Sequence, residues 1–123
     1  MLTSCQESGH RAEELAAQYL RAQGLEILAR NYRRRVGELD IVARDERVLV
    51  VAEVRTRASA AFGGAAASVG WRKRQRIARV TSALLQRERE LARLPVRFDV
   101  LVVNDPLGPA PRIEWLRHAF EAS

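Results

Sequence analysis

The sequence predicts a single α/β (α+β) domain, a central mixed sheet with helices packed on it. Three observations lead there. Hydrophobic periodicity gives the order helix, strand, hairpin, helix, strand, strand, which suits a sheet covered by helices. The chain is 123 residues long and 47% hydrophobic, enough for one core in one domain. It holds one cysteine, Cys5, so no internal disulfide can replace that core.

Taken in order, residues 1–7 are expected to be flexible. Ser4-Cys5-Gln6-Glu7 has the form of a capping box, and Ser8 is a second candidate cap. Ala12, Leu15, Ala16, Tyr19 and Leu20 recur at helical spacing, and Gly24 supplies a stop. Glu13 sits beside that apolar stripe, where the ordinary reading is a solvated helix glutamate. Glu26 to Tyr32 reads as a strand, and Arg33-Arg34-Arg35 as a basic link. Residues 37–57, GELDIVARDERVLVVAEVRTR, alternate apolar and polar side chains across a polar turn, the signature of a hairpin. Residues 58–70 turn to Ala, Ser and Gly and are expected to form a mobile loop. Trp71 to about Leu94 reads as a long helix with Ile77, Val80, Leu84 and Leu91 on one face. Pro95 stops it. Val96 to Val103 is a valine-rich strand carrying Asp99, expected to be a structural partner for an arginine. Arg112 to Leu116 is a short last strand, and Phe120 is expected to dock on the core.

Charge narrows the function. The formal net charge is +6 and the pI about 10.9, a balance that suits a polyanion, DNA above all. Lys73 is the one lysine; every other basic side chain outside the two histidines is arginine. Arg72, Lys73, Arg74, Arg76 and Arg79 crowd the start of the long helix, where cations oppose the macrodipole. An electrostatic partner explains that placement better than stability does; the alternative is an arginine-rich chain decorating an exposed helix. With Arg33, Arg34, Arg35 and Arg57 these residues are the candidate nucleic-acid contacts. No apolar run approaches the roughly 18–20 residues of a membrane span, and residues 1–4 lack the form of a secretory signal. The expected location is the cytoplasm, with no membrane partner.

The chemistry is expected in the hairpin. Asp40 and Glu53 fall inside strands that otherwise favour burial, and carboxylates are rarely buried unless paired or bound to a cation. With the turn at Asp45-Glu46, Arg44 faces Arg47, Asp40 faces Val51 and Glu38 faces Glu53. Period-two alternation then puts Asp40, Glu53 and Arg55 on one face, the two acids diagonal neighbours within roughly 7–8 Å. A three-residue turn without a bulge would separate them. Two carboxylates so placed can share a hard cation, and with no His or Cys cluster beside them Mg²⁺ or Mn²⁺ is favoured over Zn²⁺. A cation beside a basic surface is the apparatus of phosphodiester hydrolysis. The competing structural reading is a carboxylate pair salt-bridged to arginines at a sheet end.

Glu38-Leu39-Asp40 followed by Glu53-Val54-Arg55 resembles the motif of PD-(D/E)XK nucleases. More closely, the chain resembles the YraN-like family of small bacterial proteins, similar in fold to Holliday junction resolvases. The resemblance rests on Gly9 and Glu13, on Asn31-Tyr32 with Gly37-Glu38-Leu39-Asp40, and on Glu53-Val54-Arg55-Thr56-Arg57. Phe62-Gly63, Lys73, Arg97-Phe98-Asp99 and Ala119-Phe120 also fall in place. It implies a restriction-endonuclease-like αβββαβ core, Glu13, Asp40 and Glu53 as the metal-site acids, and, by analogy, a homodimer. The departure is Arg55, where the nuclease motif has lysine. Arginine stays protonated and stabilises charge but cannot act as a base. Arg55 can act electrostatically, Lys73 can take over the lysine's role, or the chain can bind without cleaving. The expectation is therefore an Mg²⁺- or Mn²⁺-dependent endonuclease acting on structured or branched DNA, with Glu13, Asp40, Glu53, Arg55 and Lys73 as catalytic candidates. The alternative is a catalytically silent nucleic-acid-binding or scaffold protein on the same fold.

Overall fold

The computed structural model describes residues 4–57 and 68–121. Helix α1 spans Ser4–Ala22, followed by strands β1 (Glu26–Arg34), β2 (Gly37–Asp45) and β3 (Val48–Arg57). Helix α2 (Trp71–Arg87) and a 3₁₀ turn (Leu91–Arg93) lead to β4 (Val96–Asn104) and β5 (Arg112–Phe120). The five strands lie in the order β1-β2-β3-β4-β5. Among the described residues only β3 and β4 run parallel; every other neighbouring pair is antiparallel. The parallel pair needs a crossover, and α2 supplies it. This is the expected α/β arrangement, a mixed sheet with a restriction-endonuclease-like αβββαβ core, extended at its far edge by β5.

Each helix covers one face of the sheet. On one side Ala12, Ala16, Ala17 and Leu20 of α1 pack on Ile41, Ala43, Val50, Ala52, Leu101 and Val103. On the other, Ile77, Val80 and Leu84 of α2 pack on Val42, Leu49, Val51, Val100 and Val102. The two central strands, β3 and β4, are buried on both faces, which is why they read as near-continuous valine runs.

Five boundaries differ from expectation. Helix α1 already begins at Ser4, ahead of the expected start. Arg33 and Arg34 belong to β1 rather than to a link, and the chain reverses at Arg35-Val36 because Arg34 pairs with Gly37. The β2–β3 turn is Glu46-Arg47, one residue later than expected: Asp45 pairs with Val48 and Arg44 with Leu49. That register matches Val42 with Val51 and Ala43 with Val50. The expected one would have set Arg44 against Arg47 and Glu38 against Glu53, like charges directly opposed. Helix α2 ends at Arg87, not near Leu94. Residues Arg87 to Glu90 are four exposed charged side chains with nothing to bury, while Leu91 and Leu94 turn back onto the core. Finally β5 continues to Phe120, whose ring stacks on Phe98 at 5.3 Å.

Of the loop expected over residues 58–70, residues 58–67 lie outside the described residues, and residues 68–70 carry no regular structure. Among the described residues no helix is long and apolar enough to cross a membrane.

Candidate metal and phosphate site

The regular pairing of β2 with β3 ends at Ile41 and Ala52. Asp40 and Glu53 are the next residues on the two strands. Here a side chain continues the ladder: the backbone N–H of Val54 donates to Asp40 Oδ2 at 2.9 Å. Asp40 and Glu53 line one cavity of about 210 Å³, closed by Gly37, Glu38, Lys73, Arg76 and Ile77. Gly37 has φ of +151°, a conformation glycine adopts more readily than other residues, while a Cβ there would meet only ordinary contacts, 3.6 Å to the Val80 side chain and 3.7 Å to Arg76 Cβ.

Glu53 is buried to 1% exposure. Its Oε1 is 3.1 Å from Lys73 Nζ, and its Oε2 is buried with no hydrogen-bond partner among the described residues. Loss of water raises its pKa, repulsion from Asp40 adds to the rise, and Lys73 opposes it; the result is a carboxyl pushed up from 4.5 to about 7. Asp40 is likewise raised by burial, against the Val54 N–H and the Lys73 charge, which pull it down. Two carboxylates that each resist ionisation in a shared cavity, one with an orphaned oxygen, fit a small hard cation. Mg²⁺ characteristically takes one or two carboxylates and completes its shell with water and phosphate oxygens.

The remaining candidates are placed as follows. Lys73 reaches the site from the first turn of α2, as one of the sequence readings allowed. Arg55 is half-buried two residues beyond Glu53; its charge lowers both acids, and its Nε is buried without a partner. Glu13 lies in an adjoining cavity of about 280 Å³ with Gln6, Gly9, His10, Asn31 and Arg33, and Glu38 lines both cavities. Burial raises the Glu13 pKa, an Asn31 side-chain hydrogen bond lowers it, and the charge of Asp40 is felt there. Its Oε1 is buried without a hydrogen-bond partner. Among the described residues no three His, Cys, Asp or Glu side chains are gathered closely enough to hold a metal by themselves. The structure thus brings Asp40, Glu53 and Lys73 together, and holds Glu13 one cavity away.

Sequence reasoning named Asn31 only within the family motif and assigned it no role, and placed Arg76 only among the nucleic-acid contacts. Asn31 has φ of 52°, a left-handed kink inside β1 that asparagine tolerates better than most residues. An asparagine in an otherwise strand-forming run was the available signal. Arg76 was read as a phosphate contact and is also a wall of the acidic cavity.

The arginines divide. Arg57 donates to Asn104 Oδ1 at 2.7 Å and to Glu114 Oε1 at 2.6 Å, which ties β3 to β4 and β5. Arg34 donates to the Tyr32 hydroxyl and lies over its ring. Arg33 pairs with Glu38 at 2.9 Å, and Arg74 is half-buried. Arg35, Arg72, Arg76 and Arg79 are exposed.

The model of the family described as "Uncharacterised protein family UPF0102" matches residues 12–103. The chain belongs to the UPF0102 family. It is 44% identical over 120 residues to a UPF0102 protein of Pseudomonas aeruginosa (strain LESB58), covering 97% of this chain and 96% of the relative. A UPF0102 protein of Saccharophagus degradans is 47% identical over 114 residues, 93% and 92% of the two chains. One from Legionella pneumophila (strain Philadelphia 1) is 40% identical over 117 residues, 95% and 97%. The matched stretch of this UPF0102 chain runs from the middle of α1 to the penultimate residue of β4, and so contains Glu13, Asp40, Glu53, Arg55 and Lys73. It is the bacterial family to which the motifs pointed.

Proposed function

We propose that this UPF0102 protein is a divalent-metal-dependent endonuclease acting on structured or branched DNA. The observation that carries the reading is the shared cavity of Asp40 and Glu53, with the unpartnered Glu53 Oε2 and the Lys73 ammonium at its wall. Asp40 and Glu53 would hold Mg²⁺ or Mn²⁺. Such a cation polarises a phosphoryl oxygen and supplies an activated water. The protein's own groups do the rest. Lys73, on Glu53 Oε1, is placed to offset negative charge developing on the phosphoryl group. Arg55 adds a fixed positive charge behind the two acids. Glu13, from the adjoining cavity, can orient a water through Oε1. Arg76 and the exposed Arg35, Arg72 and Arg79 hold flanking phosphates, contacts that position a strand without reading its sequence.

The test is cleavage of duplex, flap and junction oligonucleotides in Mg²⁺ or Mn²⁺ by wild type, Asp40→Asn and Glu53→Gln. Metal-dependent cutting by the wild type, lost in both variants by at least about 100-fold, is expected. Equal activity in all three would remove the mechanism. A second reading, a nuclease-fold protein that binds DNA without cutting it, is favoured by Arg55 at the motif-lysine position and by the separation of Glu13 from the other two acids. It predicts strongly salt-dependent DNA binding with no cleavage in either metal.

A further inference from the structure

Among the described residues Trp71 is the most exposed large hydrophobic side chain, at 64%. An indole this exposed contributes little to folding, and it stands in unusual company. It is the first residue of α2, whose first turn carries no acid and whose N-cap, Gly70, makes no side-chain capping hydrogen bond. Arg72 and Lys73 follow directly. Successive residues on a helix are turned by about 100°. The indole, the exposed Arg72 guanidinium and the Lys73 ammonium therefore sweep around the helix end as one strip, finishing at Glu53. Trp71 and Lys73 leave nearly opposite sides of the helix, within about one helix diameter of each other (~10–12 Å).

Resting on the nuclease reading, we infer that Trp71 is a stacking platform for an unpaired base of the DNA substrate, so that this end of α2 selects DNA with a single-stranded arm. Aromatic side chains next to a cationic track are how proteins hold single strands, because every base offers a π-face and every nucleotide a phosphate. In a continuous duplex each base is already stacked between neighbours and has no face to give. A strand crossing the helix end presents a phosphate to Arg72 and Lys73 while its unpaired base covers the indole. The occupant follows from charge: four basic side chains lie within the six residues that begin at Trp71, with no acidic one among them.

The experiment is fluorescence anisotropy in EDTA with two labelled oligodeoxynucleotides, a blunt duplex and the same duplex with a single-stranded flap. Trp71→Ala is expected to weaken flap binding by about 5- to 100-fold, leave duplex binding unchanged, and be largely rescued by Trp71→Phe. Abasic nucleotides in the flap should weaken wild-type binding to the same degree and leave the Trp71→Ala variant no further loss. No loss on the flap, or equal loss on both probes, overturns the inference and leaves the nuclease reading standing. Failure of the wild type to bind either probe also overturns the inference, while the nuclease reading is decided by the cleavage assay in Mg²⁺ or Mn²⁺.

Discussion

At the scale of single residues, two buried acids sit in opposite circumstances. Asp99 is fully buried and satisfied: it accepts from Arg97 Nε and Nη2, Trp115 Nε1 and the His118 backbone N–H, each at 2.9 Å. Arg97 is held above its ordinary pKa chiefly by that bond. Asp99→Ala would leave two N–H donors without their acceptor and the half-buried Arg97 with only Asp45 at 3.7 Å, and should lower unfolding free energy by about 2–3 kcal/mol, measured by urea denaturation. Glu53 is buried and unsatisfied. With a pKa of about 7 in the fold and an ordinary value of 4.5, the folded chain keeps a proton that the unfolded chain has lost between those values. Its contribution to stability therefore falls as pH rises from about 4.5 to about 7, by at most about 3 kcal/mol. Denaturation at pH 5 and pH 8 should show that decline in the wild type and a flatter profile in Glu53→Gln; identical pH slopes would contradict it. Both acids were legible as misplaced carboxylates in strands, and Asp99 was read as an arginine partner. That Glu53 meets Lys73 was not fixed by pattern, because the contact depends on how α2 lies over the sheet.

At the scale of elements, the β2–β3 hairpin and α2 together make the site. Period-two alternation correctly put Asp40 and Glu53 on one side, because moving the turn by one residue at each end preserves the parity of facing pairs. The register differs from expectation by one residue at each end of the turn, a choice between Asp45-Glu46 and Glu46-Arg47 that single-residue turn preferences do not resolve. The end of α2 was missed for a related reason: Leu91 continues the helical period, but the four charged residues before it have no apolar surface to cover. The start of α2 yields a further prediction. Gly70 has an extended backbone, φ −63° and ψ 157°, and open space around its missing Cβ. Gly70→Asp should supply the absent cap and complement the dipole, raising stability by a few tenths to about 1 kcal/mol. The same carboxylate would weaken DNA binding by repelling phosphates from Arg72 and Lys73. A variant more stable yet weaker in binding, read by thermal melts and anisotropy, is the expected outcome. Unchanged binding would remove this helix end from the interface.

At the scale of the whole molecule, the mixed sheet and its flanking helices were legible from two amphipathic helices and valine-rich strands, whereas the strand order and the one parallel pair, β3 with β4, depend on long-range pairing that no local pattern displays. The extent of β5 was less visible, since His118 sits at φ 51° and the register of β4 with β5 shifts between Phe98 and Val100. That kink brings the His118 N–H to Asp99. The fold sets a rigid double-covered sheet beneath an acidic cavity, with basic side chains around its rim. The claim that joins these scales is that the cavity holds a divalent cation. Calorimetric titration with Mn²⁺ at pH 7, repeated in buffers of different ionisation enthalpy, tests it most directly. The expected result is binding by the wild type with net proton release, because Glu53 must ionise to ligate, and loss of binding in Asp40→Asn and Glu53→Gln. No heat of binding in the wild type, or equal binding in the two variants, would contradict it.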